Sequence, residues 1–310
     1  MPAMKCSLCG ELAVINMRRH KLRLCAPHFL DWFPKQVLLS VQKLEMFTPR
    51  DRLLVAVSGG KDSLALWDVL LRLGYQADGL YIHLGIPDNG YSDDSLRHVQ
   101  AFAATRPDAH LHVVDVAATY GESVPQVGRR RHRAQKMCSV CGLIKRHLMN
   151  QIAFDGGYAV IATGHNLDDE AATLLGNALH WETDYMARQS PVMPATHPKM
   201  TRKVKPLARM YERESAAYAL VRGIDYIEDE CPYSVDAKSI LYKRLFNDIE
   251  ERSLGAKAQF YLQFLQAKRD GRMTFPVVDP VHLLRECDRC GQPTSAPGLC
   301  AFCRLWSHPS

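Results

Sequence analysis

Leu53-Leu54-Val55-Ala56-Val57-Ser58-Gly59-Gly60-Lys61-Asp62-Ser63 is an unbroken apolar run that ends in hydroxyls, glycines and a charged pair. The run has strand length without polar alternation, as expected of a strand buried on both faces. A helical pattern then runs over residues 62–73 and stops at Gly74. Strand, glycine turn and helix start therefore follow one another directly. Glycines let the backbone approach an anion closely, and a helix amino terminus offers free N–H groups and a positive dipole end. Ser58 and Ser63 add hydroxyls. A Walker A loop needs glycine at position 55 and Ser or Thr at 62, but Val55 and Asp62 stand there, which excludes the ordinary P-loop. A glycine-rich turn with no ligand is the alternative.

Outward from this stretch, strand-like and helix-like segments alternate. Further strands are expected at 79–84, 111–116 and 158–162, and helices at 93–105, 139–154, 168–179 and 211–222. This rhythm predicts an α/β fold, a doubly wound parallel sheet with helices on both faces. A helix is expected over 35–47, and residues 238–268 read as mostly helical. The chain divides into a Cys/His module at 1–33, a linker helix at 34–50, the α/β domain at 51–235, a helical extension at 236–285 and a second cysteine module at 286–310.

Ten cysteines fall into three groups. Cys6, Cys9, Cys25 and His28 form two close pairs, as do Cys287, Cys290, Cys300 and Cys303. Both have the spacing of a closed tetrahedral zinc site, so two Zn²⁺ are expected. The segment Met1–Cys6 lacks the apolar core of an export signal, and no apolar stretch reaches membrane-spanning length. The pairs therefore read as metal sites in a reducing cytoplasm rather than disulfides, with no membrane association.

Cys138, Cys141 and Cys231 remain. Three thiolates suit a metal with an open position, a persulfide and disulfide pair, or a [4Fe–4S] cluster with one free iron. Inert thiols are the plain alternative. Lys145 follows Cys141 by four residues and shares its helical face; a solvated lysine explains the spacing equally well. Asp168, Asp169 and Glu170 open a helix after a strand, where acids are common for capping and dipole reasons. That is also where open parallel sheets bind ligands, so a carboxylate there is a candidate general base.

The net charge of +6 over 310 residues is modest but unevenly placed. Residues 126–150 hold seven Lys or Arg (Arg129, Arg130, Arg131, Arg133, Lys136, Lys145, Arg146) and no acid. Residues 187–211 hold six more (Arg188, Lys199, Arg202, Lys203, Lys205, Arg209), again with no acid. Such segments suit a polyanion surface; solvated loops are the alternative.

The motif S-G-G-x-D-S resembles the signature of the PP-loop ATP pyrophosphatases. With Cys138-Ser139-Val140-Cys141-Gly142, with 162–170 (Ala-Thr-Gly-His-Asn-Leu-Asp-Asp-Glu), with Glu230-Cys231-Pro232 and with both terminal modules, nearly the whole chain resembles the TtuA-type tRNA 2-thiouridine synthetases. The resemblance implies an ATP-dependent tRNA sulfurtransferase. It would adenylate the uracil C2 oxygen and transfer sulfur through a [4Fe–4S] cluster on Cys138, Cys141 and Cys231. It implies ATP with Mg²⁺ on Ala56, Val57, Ser58, Gly59, Gly60, Lys61, Asp62, Ser63, Ile82, Lys145, Gly164 and Asp169, with Lys145 and Asp169 as the catalytic pair. The implied partners are tRNA and the thiocarboxylate of a ubiquitin-like sulfur carrier; the sequence leaves the oligomeric state open, with a homodimer sharing tRNA contacts as one option. The run Gly128-Arg129-Arg130-Arg131-His132-Arg133 is more basic than the family pattern. Other readings are a cytidine 2-thiolase, a lysidine-type ligase, or a non-catalytic zinc-ribbon RNA-binding scaffold. The first carries two C-x2-C pairs in its core, the second needs no core cysteines, and the intact loop speaks against the third.

Overall fold

The structure, a computed structural model, describes residues 3–130, 137–234, 238–275 and 284–307. Arg131, His132, Arg133 and Lys136 of the basic run lie outside the described residues. A small hairpin, β1 (Ile15–Met17) and β2 (Leu22–Leu24), is followed by α1 (Ala26–Lys43). The helix expected over 35–47 thus begins at Ala26, inside the first Cys/His module, and carries Pro34 within it. Pro27 sits in its first turn, where proline's missing N–H costs nothing.

The central sheet follows the expected rhythm. β3 (Leu53–Val57), α2 (Lys61–Arg72), β4 (Ala77–His83), α3 (Tyr91–Ala104) and β5 (Leu111–Asp115) build one half. Asp115 caps the short α4 (Val116–Tyr120), which ends that strand one residue before the expected limit; α5 (Val124–Arg130) comes next. The other half is α6 (Met137–Asp155), β6 (Val160–Thr163), α7 (Leu167–Leu179), α8 (Thr183–Arg188), β7 (Val192–Met193), β8 (Arg202–Val204) and α9 (Glu212–Val221). The strand order is β5-β4-β3-β6-β8-β7, parallel except for β7 against β8. β7 and β8 are too short to show a hydrophobic period, which is why the sequence pattern did not reveal them.

Residues 238–268 form two helices, α10 (Lys238–Arg252) and α11 (Ala256–Arg269), separated where Gly255 takes φ of 90°. The last module holds β9 (Arg285–Glu286), β10 (Pro293–Thr294) and α12 (Ala301–Leu305). Among the described residues no helix is long and apolar enough to cross a membrane.

β3 divides the core by its alternation. Leu53, Val55 and Val57 pack with Phe33, Trp67 and Tyr218 on one face, together with Ile15, Leu24 and Cys25 of the first module. Leu54 packs on the other face with Leu80, Ile144 and Leu148, and with Phe302 and Leu305 of the last module. Both cysteine modules are therefore built into the domain's cores. The last is pinned by the His147 ring stacked on Phe302 at 3.8 Å, and by Asn150 donating to Gln292 at 2.6 Å. A third cluster, including Leu174, Phe246 and Tyr261, fastens α10 and α11 to α7. The functional groups gather at the carboxyl ends of β3, β4 and β6, where parallel sheets place ligands.

Candidate active site

The loop after β3 is closed by its own serines. The Ser58 N–H donates to Ser63 Oγ at 3.1 Å, and that hydroxyl donates to the Gly60 carbonyl at 3.0 Å. Ser63 thus shapes the loop with the hydroxyl that the sequence offered as a ligand donor. Gly59 is required twice over. Its φ of 82° suits glycine, and a Cβ there would lie 2.7 Å from the Ser95 carbonyl oxygen. Gly164 lies across the loop, and its Cβ would meet the Ser63 backbone at 2.9 Å.

Between these elements opens a cleft of about 420 Å³, the size of an ordinary small-ligand site. Ala56, Val57, Ser58, Asp62, Ser63, Ile82, Lys145, Gly164 and Asp169 line it, which brings nine of the sequence's twelve nucleotide candidates together. Gly59 and Gly60 supply the turn. Lys61 goes elsewhere: its ammonium pairs with Asp62 at 3.2 Å and Glu212 at 2.7 Å and lines a neighbouring cleft.

The three acids of α7 separate by partner. Asp168 is buried against Lys257 of α11, and Glu170 against Lys205 at 2.6 Å and the Tyr261 hydroxyl at 2.9 Å. Breaking such a buried pair costs about 3–5 kcal/mol, so both acids are structural. Asp169 alone lines the cleft. It forms a reciprocal capping box with Asn166, the bonds being 3.0 and 3.1 Å. Lys243 of α10 reaches it at 2.6 Å and Glu212 at 2.9 Å. An alternating chain results: Asp62, Lys61, Glu212, Lys243, Asp169. Asn166 closes it by donating to Asp62 at 3.1 Å. Burial and the nearby carboxylates of Asp169 and Glu212 push the Asp62 carboxyl up. Lys243 is driven up despite burial, because Asp169 and Glu212 both face it. Glu212, Lys243 and Asn166 were not picked out from the sequence. Asn166 carried a usable signal, since Asn with an acid three residues later just before a helix is a capping-box pattern.

Cys138, Cys141 and Lys145 all stand on α6, as their spacing required. Cys231 comes from the segment after α9, which hangs on the phosphate loop through the Ile227 N–H donating to the Gly59 carbonyl at 3.0 Å. The Cys138 thiol donates to the Tyr233 carbonyl at 3.4 Å. Burial raises the Cys231 thiol, as do the neighbouring Cys141 and Cys138, while the Tyr233 backbone and Lys145 pull the other way. Tyr91, which lines the cleft, is pushed up to about 12 by burial and by Cys231. Cys231 therefore lies near Lys145 and Tyr91, which line the cleft, while the thiols themselves stand outside its lining.

Among the described residues two sets of metal-ligating atoms converge within 4.8 Å: Cys6, Cys9, Cys25 and His28, and Cys287, Cys290, Cys300 and Cys303. In the first, Cys9 and Cys25 sulfurs are 3.7 Å apart, and the Cys25 sulfur lies 3.2 Å from His28 Nδ1. In the second, the Cys290 and Cys300 sulfurs are also 3.7 Å apart. Tetrahedral zinc at about 2.3 Å from sulfur sets ligands about 3.8 Å apart, so both sets fit one ion. Burial opposes ionisation of Cys6, yet the backbone of Cys25, Leu8 and Cys9 and the His28 ring bring its thiol down to about 5. Cys138, Cys141 and Cys231 do not converge so tightly. A single ion would demand closer sulfurs; a multi-iron cluster, with thiolates on separate irons, fits the wider spacing.

Comparison with known proteins now decides the family. Residues 35–244 match the PP-loop domain, and residues 5–30 match the 2-thiouridine synthetase TtuA, N-terminal LIM domain. The chain is 49% identical over 303 residues to the tRNA-5-methyluridine(54) 2-sulfurtransferase of Thermus thermophilus, covering 98% of this chain and 91% of that one. This chain belongs to the TtuA family of PP-loop tRNA sulfurtransferases. The relative of the same name from Thermotoga maritima is 40% identical, with 97% and 96% covered. The U34-tRNA thiolase NcsA from Methanococcus maripaludis, solved with its [4Fe-4S] cluster, has the same fold. It superposes with a TM-score of 0.76 at 21% identity, covering 98% of this chain and 96% of that one. As a TtuA-family member the chain is an enzyme, a tRNA sulfurtransferase.

Proposed function

We propose that this chain is an ATP-dependent tRNA sulfurtransferase that converts 5-methyluridine at position 54 to its 2-thio form. The observation that carries the reading is that Lys145 and Tyr91, which line the cleft at the phosphate loop, are also charge neighbours of the Cys231 thiol. Position 54 is favoured because the relatives named for it share 40–49% identity, against 21% for the U34 thiolase.

In this reading the loop amides after β3 and the positive end of α2 hold the phosphates of ATP. Asp62 is the carboxylate that would hold a phosphate-bound Mg²⁺ at such a site. The uracil O2 attacks the α-phosphorus, the O–P bond forms, and pyrophosphate leaves. Asp169, fixed by Lys243 and by its capping box, takes the N3 proton as O2 becomes nucleophilic. Lys145 neutralises charge that builds on the α-phosphate oxygens. A sulfide-level sulfur bonds to C2 as the C2–O2 bond breaks, the oxygen leaves as part of AMP, and the proton returns from Asp169 to N3. Cys138, Cys141 and Cys231 would hold a [4Fe–4S] cluster, which would supply the sulfur for the exchange. A thiocarboxylate carrier of ubiquitin-like type is the sulfur source in this scheme. The two four-ligand sets hold one zinc each and keep the modules folded.

Cys231→Ala tests the reading. The variant is expected to bind ATP as the wild type does and to form no thiolated tRNA under anaerobic conditions. Full thiolation by this variant would overturn the three-thiolate site.

A further inference from the structure

The two acid-free basic segments, 126–150 and 187–211, are far apart in sequence but meet in space. They meet in a groove of about 450 Å³ between α6, the β7–β8 hairpin and the last cysteine module. Arg146 enters it from α6 and Lys203 from β8. Lys203 is half-buried, and its pKa is lowered first by burial and then by the Arg146 charge. Like charges brought together in a partly desolvated groove destabilise each other unless an anion lies between them. No acid among the described residues pairs with either group. The adjoining Lys199 differs, since Glu286 neutralises it at 2.8 Å. The cysteine module closes the far wall with the hydroxyl residues Thr294 and Ser295.

The groove also has a defined relation to the active site. Arg146 follows Lys145, which lines the nucleotide cleft, so the two side chains leave α6 about 100° apart. The Arg146 guanidinium folds back over the turn that carries Cys141: a Cβ on Gly142 would lie 2.9 Å from its terminal nitrogen. An anion held here would sit beside the turn of Cys141 without entering the cleft.

We propose that the Arg146–Lys203 groove binds backbone phosphate of the tRNA and holds the strand next to the base being modified. This rests on the tRNA-modifying reading above. Phosphate contacts of this kind fix register without reading sequence, and each gives a salt-dependent share of affinity.

The test is tRNA binding to the purified full chain by fluorescence anisotropy across a salt series, for wild type, Arg146→Gln, Lys203→Gln and the double variant. Arg50→Gln, at an exposed cation before β3, controls for the loss of one charge. Each groove variant should weaken binding about tenfold, and the slope of log affinity against log salt should fall by about one per lost contact. Arg146→Lys should restore part of the loss, and ATP binding should match the wild type in every variant. Groove variants that keep wild-type affinity and slope, or that lose no more than Arg50→Gln, would overturn the groove and leave the tRNA reading standing. A wild-type chain that binds no tRNA would overturn both.

Discussion

Asp62 and Lys61 are neighbours in the phosphate loop, yet their side chains do different work. Asp62 lines the nucleotide cleft and accepts a hydrogen bond from Asn166, whereas Lys61 turns to Glu212 and the next cleft. The loop's anion-binding power comes from backbone amides, which no side-chain substitution removes. Lys61→Ala is therefore expected to raise the ATP dissociation constant only a few-fold. Asp62→Ala should lower thiolation far more, by about 100-fold or beyond, if it holds the metal-bound phosphates as proposed. Equilibrium ATP binding and single-turnover thiolation on both variants check this, and equal losses would contradict the division of roles. A lysine in a phosphate loop reads as a phosphate ligand from sequence. Its diversion to Glu212 was invisible because that partner lies 151 residues away. Asp169 could not be separated from Asp168 and Glu170 by sequence either. All three suit a first helical turn, and only the lysines on α10, α11 and the segment after β8 sort them.

At the scale of elements, α6 connects three functions. Its amino-terminal turns carry Cys138, Cys141 and Lys145, and its next turns carry Arg146 and the docking surface for the last module. Hydrophobic period and terminal glycines were enough to locate this helix and the strands around it, because those elements are long and locally determined. β7 and β8 were missed, being held by their neighbours in the sheet rather than by their own pattern. The stacked His147 gives the docking a pH signature. Burial lowers its pKa from 6.5 to about 4, so the ring is neutral in the folded chain near pH 5 to 6. The unfolded chain takes up that proton below about 6.5, so its proton uptake exceeds that of the folded chain between about 6.5 and 4. Stability must therefore fall as pH drops through that window and level off below it. Thermal unfolding from pH 7.5 to 5 should show a smaller decline for His147→Phe than for wild type. Parallel declines would mean that the buried ring is not a source of the effect.

The whole molecule is a PP-loop domain with a four-ligand cysteine module built into each end of its core. Cys25 and His28 flank the start of α1, and Cys300 and Cys303 the start of α12, so each module closes its ligand set on a helix amino terminus. The cysteine spacing made both sets legible in advance, since four ligands in two close pairs leave few other uses. The three remaining cysteines were legible only as a remainder. The fold puts Cys138 and Cys141 on α6 and Cys231 near Lys145, and the three are not among the sets whose ligand atoms converge within 4.8 Å. The proposed function joins the phosphate loop, the three core thiols and the basic groove in one task, activating a tRNA uridine and replacing its C2 oxygen. The most direct measurement is nucleoside mass spectrometry of tRNA after anaerobic reaction with the iron-reconstituted chain and a sulfide source, with and without ATP. 2-Thio-5-methyluridine is expected at position 54 only when ATP is present. Unthiolated tRNA from the iron-loaded chain with ATP, or equal thiolation without ATP, would contradict it.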